Sequence, residues 1–157
     1  MGNESPLVSH DELEQCKRVI CVDDSPTVRK ILETCLHREG FMVYTFSDGV
    51  EMLRWLTGPE GRIPHLVILD ICLPKLDGYT VAQRLRAKRQ FANVIIVMLS
   101  RRDSVIDRIK GRLAGATAYL DKPFKTQDVV SVVKTQLGIA LCDEQEAFTP
   151  SMMKSEH

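Results

Sequence analysis

Short apolar runs rich in valine and isoleucine, at residues 19–22, 66–69 and 94–99, alternate along the chain with stretches whose apolar residues recur every three or four positions. That alternation constrains the fold more than any other feature. Runs of four to six apolar residues suit strands buried on both faces, and the intervening helical period supplies the crossovers of parallel βαβ units. Weaker strand signals at 41–46 and 118–120 bring the expected total to five strands and five helices, an α/β doubly wound parallel sheet.

The first crossover is the best punctuated. Ser25-Pro26 reads as an N-cap followed by proline at the first helical position. Val28, Ile31, Leu32, Cys35 and Leu36 then form one stripe that closes at Gly40. A helix carrying Trp55 is expected over 49–56, before a Gly/Pro-rich loop at 57–64. The turn from Leu73 to Gly78 leads into a helix reaching about Lys88 that buries Val81, Ala82 and Leu85. A further helix is expected over 103–113. The last opens with Thr126 as N-cap, buries Val129, Val130, Val133 and Leu137, and ends at Gly138.

With 157 residues, 44% hydrophobic and 27% charged, the composition suits one domain at 17–138 between flexible segments at 1–16 and 139–157. Residues 1–15 carry four acids and no base. No apolar run approaches the roughly 20 residues that cross a bilayer. The start has neither a basic nor a long apolar stretch and places Pro6 where a myristoylation motif has Ser or Thr, so neither a secretory signal nor lipidation is expected. Five cysteines, 16, 21, 35, 72 and 142, contain no C-x-x-C pair, which argues against a zinc site or disulfide framework and for a reducing cytoplasm. The four histidines, 10, 37, 65 and 157, lack metal-ligand spacing and read as surface or packing residues.

Ligands of open parallel sheets bind beyond the carboxyl ends of the strands. Those ends carry Asp23-Asp24, Asp70, Ser100 and, just after the fifth strand, Lys122. Three carboxylates brought together repel one another unless a hard cation offsets them, and Mg2+, with its preference for oxygen ligands, fits. A carboxylate beside such an ion can attack a phosphoryl group while a lysine neutralises the developing charge and a hydroxyl bonds a phosphoryl oxygen. Taken singly, each residue has an ordinary alternative. A strand-terminal Asp is usually a cap or turn residue, Ser100 a loop hydroxyl, Lys122 a solvated lysine and Tyr119 a half-buried strand aromatic; the combination is what points to chemistry.

In this order and spacing, VICVDDSPTVRKIL, LVILDICLPKLDG, VIIVMLS and AYLDKPF resemble the receiver domain of two-component response regulators over about residues 17–138. The resemblance implies a flavodoxin-like sheet of strand order 2-1-3-4-5. It implies Asp70 as phosphoacceptor, Asp24 as a direct magnesium ligand, Asp23 as a ligand through water, and the backbone carbonyl of Cys72 as a further ligand. Ser100 takes the role of switch hydroxyl, Lys122 that of phosphate-binding ammonium, and Tyr119 that of the aromatic that swings inward. A cis peptide is implied between Lys122 and Pro123. The implied partners are a sensor histidine kinase or phosphotransfer protein and a downstream target protein, with the protein a monomer or a phosphorylation-dependent dimer. GRLAGATAYLDKPF is similar to the twitching-motility type of single-domain regulator, which makes the motor or pilus machinery a candidate target.

Nine bases against two acids between Arg84 and Arg112 raise nucleic acid as a partner, but no interleaved aromatics or groove-reading motif accompany them. A solvated face or docking surface for an acidic partner is the better reading, and because receivers commonly carry output contacts on the fourth helix, fifth strand and fifth helix, the resemblance implies Arg101, Arg102, Tyr119 and the basic helix near them as partner contacts. The short tail argues against an output domain and hence for output by protein contact. Two rival readings are weaker: a phosphorylation-independent receiver-like scaffold fits poorly with an intact acidic set, and an aspartate-nucleophile phosphatase of the haloacid-dehalogenase kind expects an acid where Cys72 stands. The chain itself is therefore not expected to be an enzyme. In receivers the residues two beyond the acceptor and two beyond the hydroxyl tend to set phosphoryl lifetime; the resemblance puts Cys72 and Arg102 there, and both are poor at orienting an attacking water. Self-dephosphorylation is therefore expected to take minutes or longer, and decay of radiolabel within a few seconds in magnesium would refute this.

Overall fold

The computed structural model of the protein describes residues 16–101 and 105–140, and of 105–107 the backbone alone. The element order is β1 (Arg18–Val22), α1 (Pro26–Arg38), β2 (Met42–Phe46), α2 (Gly49–Leu56), β3 (Leu66–Asp70), α3 (Gly78–Arg86), a 3-10 turn (Arg89–Phe91), β4 (Ile95–Ser100), α4 (Val105–Ala114), β5 (Ala118–Asp121) and α5 (Thr126–Leu137). All strand pairs are parallel, in the order β2-β1-β3-β4-β5. This is the expected flavodoxin-like arrangement.

Successive strand residues point to opposite faces, and the three central strands divide their apolar side chains accordingly. Ile20, Val22, Val67, Leu69, Ile96 and Met98 pack under α2, α3 and α4 with Met52, Leu85 and Phe91. Val19, Cys21, Leu66, Ile68, Val97 and Leu99 pack under α1 and α5 with Leu32, Leu36, Val129 and Val133. Both faces are covered, which is why these runs are continuous rather than alternating. On the edge strand β2, Trp55 of α2 packs against Tyr44 and Phe46, at ring-centroid distances of 4.8 and 5.5 Å. These rings extend the core of that sheet face out to its edge strand.

Helix ends follow their sequence signals with two corrections, and burial differs at a few positions. Ser25 caps α1, its Oγ accepting from Val28 N–H at 3.2 Å. Within α1, however, Ile31 is 39% exposed instead of buried; at 100° per residue it sits roughly 90° from the centre of the arc formed by Leu32, Cys35 and Leu36. Thr126 is the first helical residue of α5 rather than its cap, which falls on Lys125 with no side-chain bond; the Asp128 and Val129 N–H groups both reach the Lys125 carbonyl, so the first turn begins one residue early. The helix expected to reach Lys88 stops at Arg86, and the 3-10 turn after it drives Phe91 into the core. Val130 and Leu137 are half-buried, and Ile139, beyond the expected domain boundary, still packs against the core.

The basic stretch is not uniformly a surface. Arg86 lies across the end of α3, where its Nη2 and Nε donate to the Gly115 carbonyl at 2.8 and 3.2 Å and its Nη1 to that of Ala92 at 3.2 Å. It ties α3, the 3-10 turn and the turn before β5 together. Arg86→Ala is expected to lower unfolding free energy by about 2 kcal/mol, because charge-assisted bonds to these carbonyls have no replacement. Arg86→Lys should recover little, since an ammonium cannot span the same acceptors. Urea midpoints decide the matter, and an unchanged midpoint in Arg86→Ala would refute the structural role. Arg84, Lys88, Arg89 and Arg112 are exposed.

His65 is a packing residue: its Nδ1 accepts the Arg18 N–H at 2.9 Å, and burial, followed by the neighbouring Arg18 and Lys17 charges, holds its pKa below the usual imidazole value. The four described cysteines are free thiols. No helix among the described residues is long and apolar enough to cross a membrane.

Candidate functional site

The chain leaves β1 for β2 on one side of the sheet and returns to β3 on the other, so the crevice between the ends of β1 and β3 is the topological switch point. Val22 lies opposite Leu69 in the register, which places Asp23 beside Asp70 as both strands stop. Asp23 is fully buried and Asp70 is 2% exposed, whereas Asp24 faces solvent. One carboxylate oxygen from each of the three lies within 4.8 Å of the others.

Each buried carboxylate is held by both oxygens. Asp23 Oδ1 accepts from Ser25 N–H at 2.9 Å and Oδ2 from Lys122 Nζ at 2.6 Å. Asp70 Oδ1 accepts from Cys72 N–H at 3.1 Å and Oδ2 from the same ammonium at 3.2 Å. Lys122 arrives from the end of β5: its backbone N–H donates to the Ser100 carbonyl at 2.7 Å, and the Lys122-Pro123 peptide that follows is cis. Burial and then the Asp23 charge push the Asp70 pKa above the usual carboxylate value, against the Cys72 N–H and the Lys122 charge. Burial alone would lower the Lys122 pKa, but hydrogen bonding and attraction to Asp23 and then Asp70 outweigh it and raise it. Three carboxylates facing one ammonium leave an excess of negative charge, a donor set of hard oxygens that fits a divalent cation.

Ser100 ends β4 almost fully buried, adjacent to β3 and β5. Tyr119 sits two register positions below it on the same sheet face, since Met98 is the strand partner of Tyr119. Its hydroxyl donates to the Arg108 carbonyl at 2.6 Å. Cys72 and Arg101 are exposed, while Arg102 lies outside the described residues.

One residue of the site was missed in the sequence. In the Asp77-Gly78 pair Asp77 caps α3, accepting from Thr80 N–H at 2.8 Å, and Gly78 does more than turn the chain. A Cβ at Gly78 would stand 2.5 Å from the Asp70 carbonyl oxygen and 2.9 Å from Ile71 Cα. Only glycine lets α3 approach the β3 end so closely, and its N–H donates to the Ile71 carbonyl at 2.9 Å. The signal was available as an Asp-Gly dipeptide, but its long-range contact was not.

A parallel five-stranded sheet with this acidic crevice defines a receiver-type α/β domain. Residues 19–134 match the response regulator receiver domain family, and the chain belongs to it. It is 32% identical over 120 residues to protein PilG of Pseudomonas aeruginosa, covering 76% of this chain and 87% of that one. It is also 41% identical over 126 residues to the probable transcriptional regulator ycf27 of Guillardia theta, covering 80% of this chain. The chain spans about half the length of the ycf27 relatives, 47% in that case. Among solved structures, a putative response regulator from Chloroflexus aurantiacus aligns with TM-score 0.73 and 34% identity, over 79% of this chain and 99% of that one. The receiver domain of a sensor histidine kinase from Pseudomonas aeruginosa, with a magnesium ion coordinated in its active site cleft, aligns with TM-score 0.70 and 28% identity, over 78% and 98%.

Proposed function

We propose that the chain accepts a phosphoryl group on Asp70 from the phosphohistidine of a sensor kinase or phosphotransfer protein and signals through a phosphorylation-dependent contact with another protein. The observation that carries this reading is the Lys122 ammonium bridging Asp23 and Asp70 beside Asp24 at the switch point. In the transfer, an Asp70 carboxylate oxygen forms the new O–P bond as the P–N bond to the imidazole breaks, and the electron pair leaves with the ring nitrogen. The Cys72 N–H orients the carboxylate, and Lys122 balances the charge of the incoming phosphoryl oxygens. Asp23, Asp24, Asp70 and the Cys72 carbonyl would hold Mg2+, which when bound supplies further charge neutralisation. The Ser100 hydroxyl then bonds a phosphoryl oxygen, and Tyr119 follows it inward. This is a population shift between two arrangements of one face, to which Arg101 and Arg102 contribute partner contacts.

The test is labelling with acetyl phosphate in magnesium. A label released by hydroxylamine is expected, as for an acyl phosphate, together with a protein captured differently by beryllofluoride-treated and untreated chain. Absence of any acyl phosphate would leave the scaffold reading standing, and steady turnover of the donor would favour the phosphatase.

A further inference from the structure

Gly111 lies inside α4, buried, where a glycine weakens a helix relative to alanine and calls for a packing reason. The reason is the phenol of Tyr119. A Cβ built on Gly111 would fall 1.9 Å from the Tyr119 hydroxyl oxygen, 2.7 Å from Cζ and 2.9 Å from Cε1. These separations are impossible for real atoms, so the tyrosine occupies the space that a side chain at 111 would take. The surrounding groups complete a receptor. The Arg108 carbonyl, one helical turn earlier, accepts from the hydroxyl at 2.6 Å, and the Arg108 guanidinium carbon lies 5.3 Å from the ring centroid, within cation–π range.

We infer that the Gly111 vacancy, with Arg108, is a latch on α4 that holds Tyr119 in its unphosphorylated position and thereby sets how readily the site switches. The inference deepens the reading of Tyr119 as switch aromatic and rests on it. Tyr119 and Ser100 lie on one face of the sheet, so moving inward requires the ring to give up the Arg108 carbonyl and the clearance over Gly111. A ligand that favours the inward state must overcome whatever holds the outward one, and by linkage loosening the latch tightens that ligand. Filling the vacancy with one methyl group removes the outward position without touching Asp23, Asp70, Ser100 or Lys122.

The test follows the ring of Tyr119 in the full chain by fluorine NMR after fluorotyrosine labelling, the resonance being assigned by its loss in Tyr119→Phe. In untreated Gly111→Ala the resonance is expected to leave its wild-type position and move toward the one that beryllofluoride produces in wild type. Beryllofluoride affinity is expected to rise about fivefold. The same substitution in a Tyr119→Leu background is expected to leave affinity unchanged, which separates the latch from the general helix-strengthening effect of alanine. An equal gain in both backgrounds would overturn the inference. Should Gly111→Ala fail to fold, Tyr119→Phe keeps the ring and deletes the Arg108 bond, and unchanged beryllofluoride affinity there would overturn it as well. A wild-type ring that ignores beryllofluoride brings down the switch reading and the latch together. A ring that responds to beryllofluoride but not to Gly111→Ala overturns the latch alone.

Discussion

Asp70→Asn is expected to abolish acyl-phosphate labelling while making the magnesium-free protein more stable, by about 1 kcal/mol. The two effects have one cause. In the wild type the Asp70 carboxylate is buried 2% exposed beside fully buried Asp23, and its raised pKa shows that the fold disfavours its charge. An amide keeps one oxygen to accept from the Cys72 N–H and gives up the longer Lys122 bond, whose ammonium keeps Asp23, but it removes the repulsion with Asp23 and much of the desolvation cost. It cannot form the O–P bond. Acetyl phosphate labelling and urea denaturation in a chelator report the two effects separately. Retained hydroxylamine-sensitive label would move the acceptor elsewhere, and a loss of stability would mean that the carboxylate contributes to the fold rather than straining it.

Lys122→Ala is expected to act in the opposite direction on stability, lowering it by about 3 kcal/mol in the absence of magnesium. Its ammonium bonds Asp23 at 2.6 Å and Asp70 at 3.2 Å, and among the described residues it is the only cation within ion-pair distance of either. Deleting it leaves two buried carboxylates side by side with no counter-charge, which costs far more than losing an exposed ion pair. Magnesium is expected to restore part of the loss, because an ion bound only by the folded state stabilises it by mass action. Combining Lys122→Ala with Asp70→Asn should cost less than Lys122→Ala alone. Equal urea midpoints for wild type and Lys122→Ala in chelator would show that the ammonium is not holding the crevice together.

Both expected results turn on groups that are legible in the sequence but whose balance is not. The strand runs identify themselves because burial on both faces leaves no room for polar residues, and so their first polar residues, Asp23, Asp70 and Ser100, mark the strand ends. Ser25 and Pro26 likewise announce α1, since capping is a local matter of one hydroxyl and one N–H. Signals fail where the deciding partner is distant in the chain. Ile31 has the right residue type and spacing for the core yet lies at the edge of the buried arc, because which part of an apolar stripe is covered depends on the elements that pack against it. Arg86 looks like one more base in a basic stretch, but it binds the Gly115 carbonyl, 29 positions on and just past the end of α4.

The local pattern of valine, isoleucine, caps and strand-ending acids determined by itself that this chain makes a parallel α/β sheet with an acidic crevice, because burial and capping act over a few residues. Only the tertiary structure decided that Lys122 bridges Asp23 across 99 positions, that Gly78 must lack a side chain for α3 to reach Asp70, and that Gly111 makes room for Tyr119. Those are questions of close approach between segments, and a contact a few ångströms long carries no signature in the sequence on either side of it.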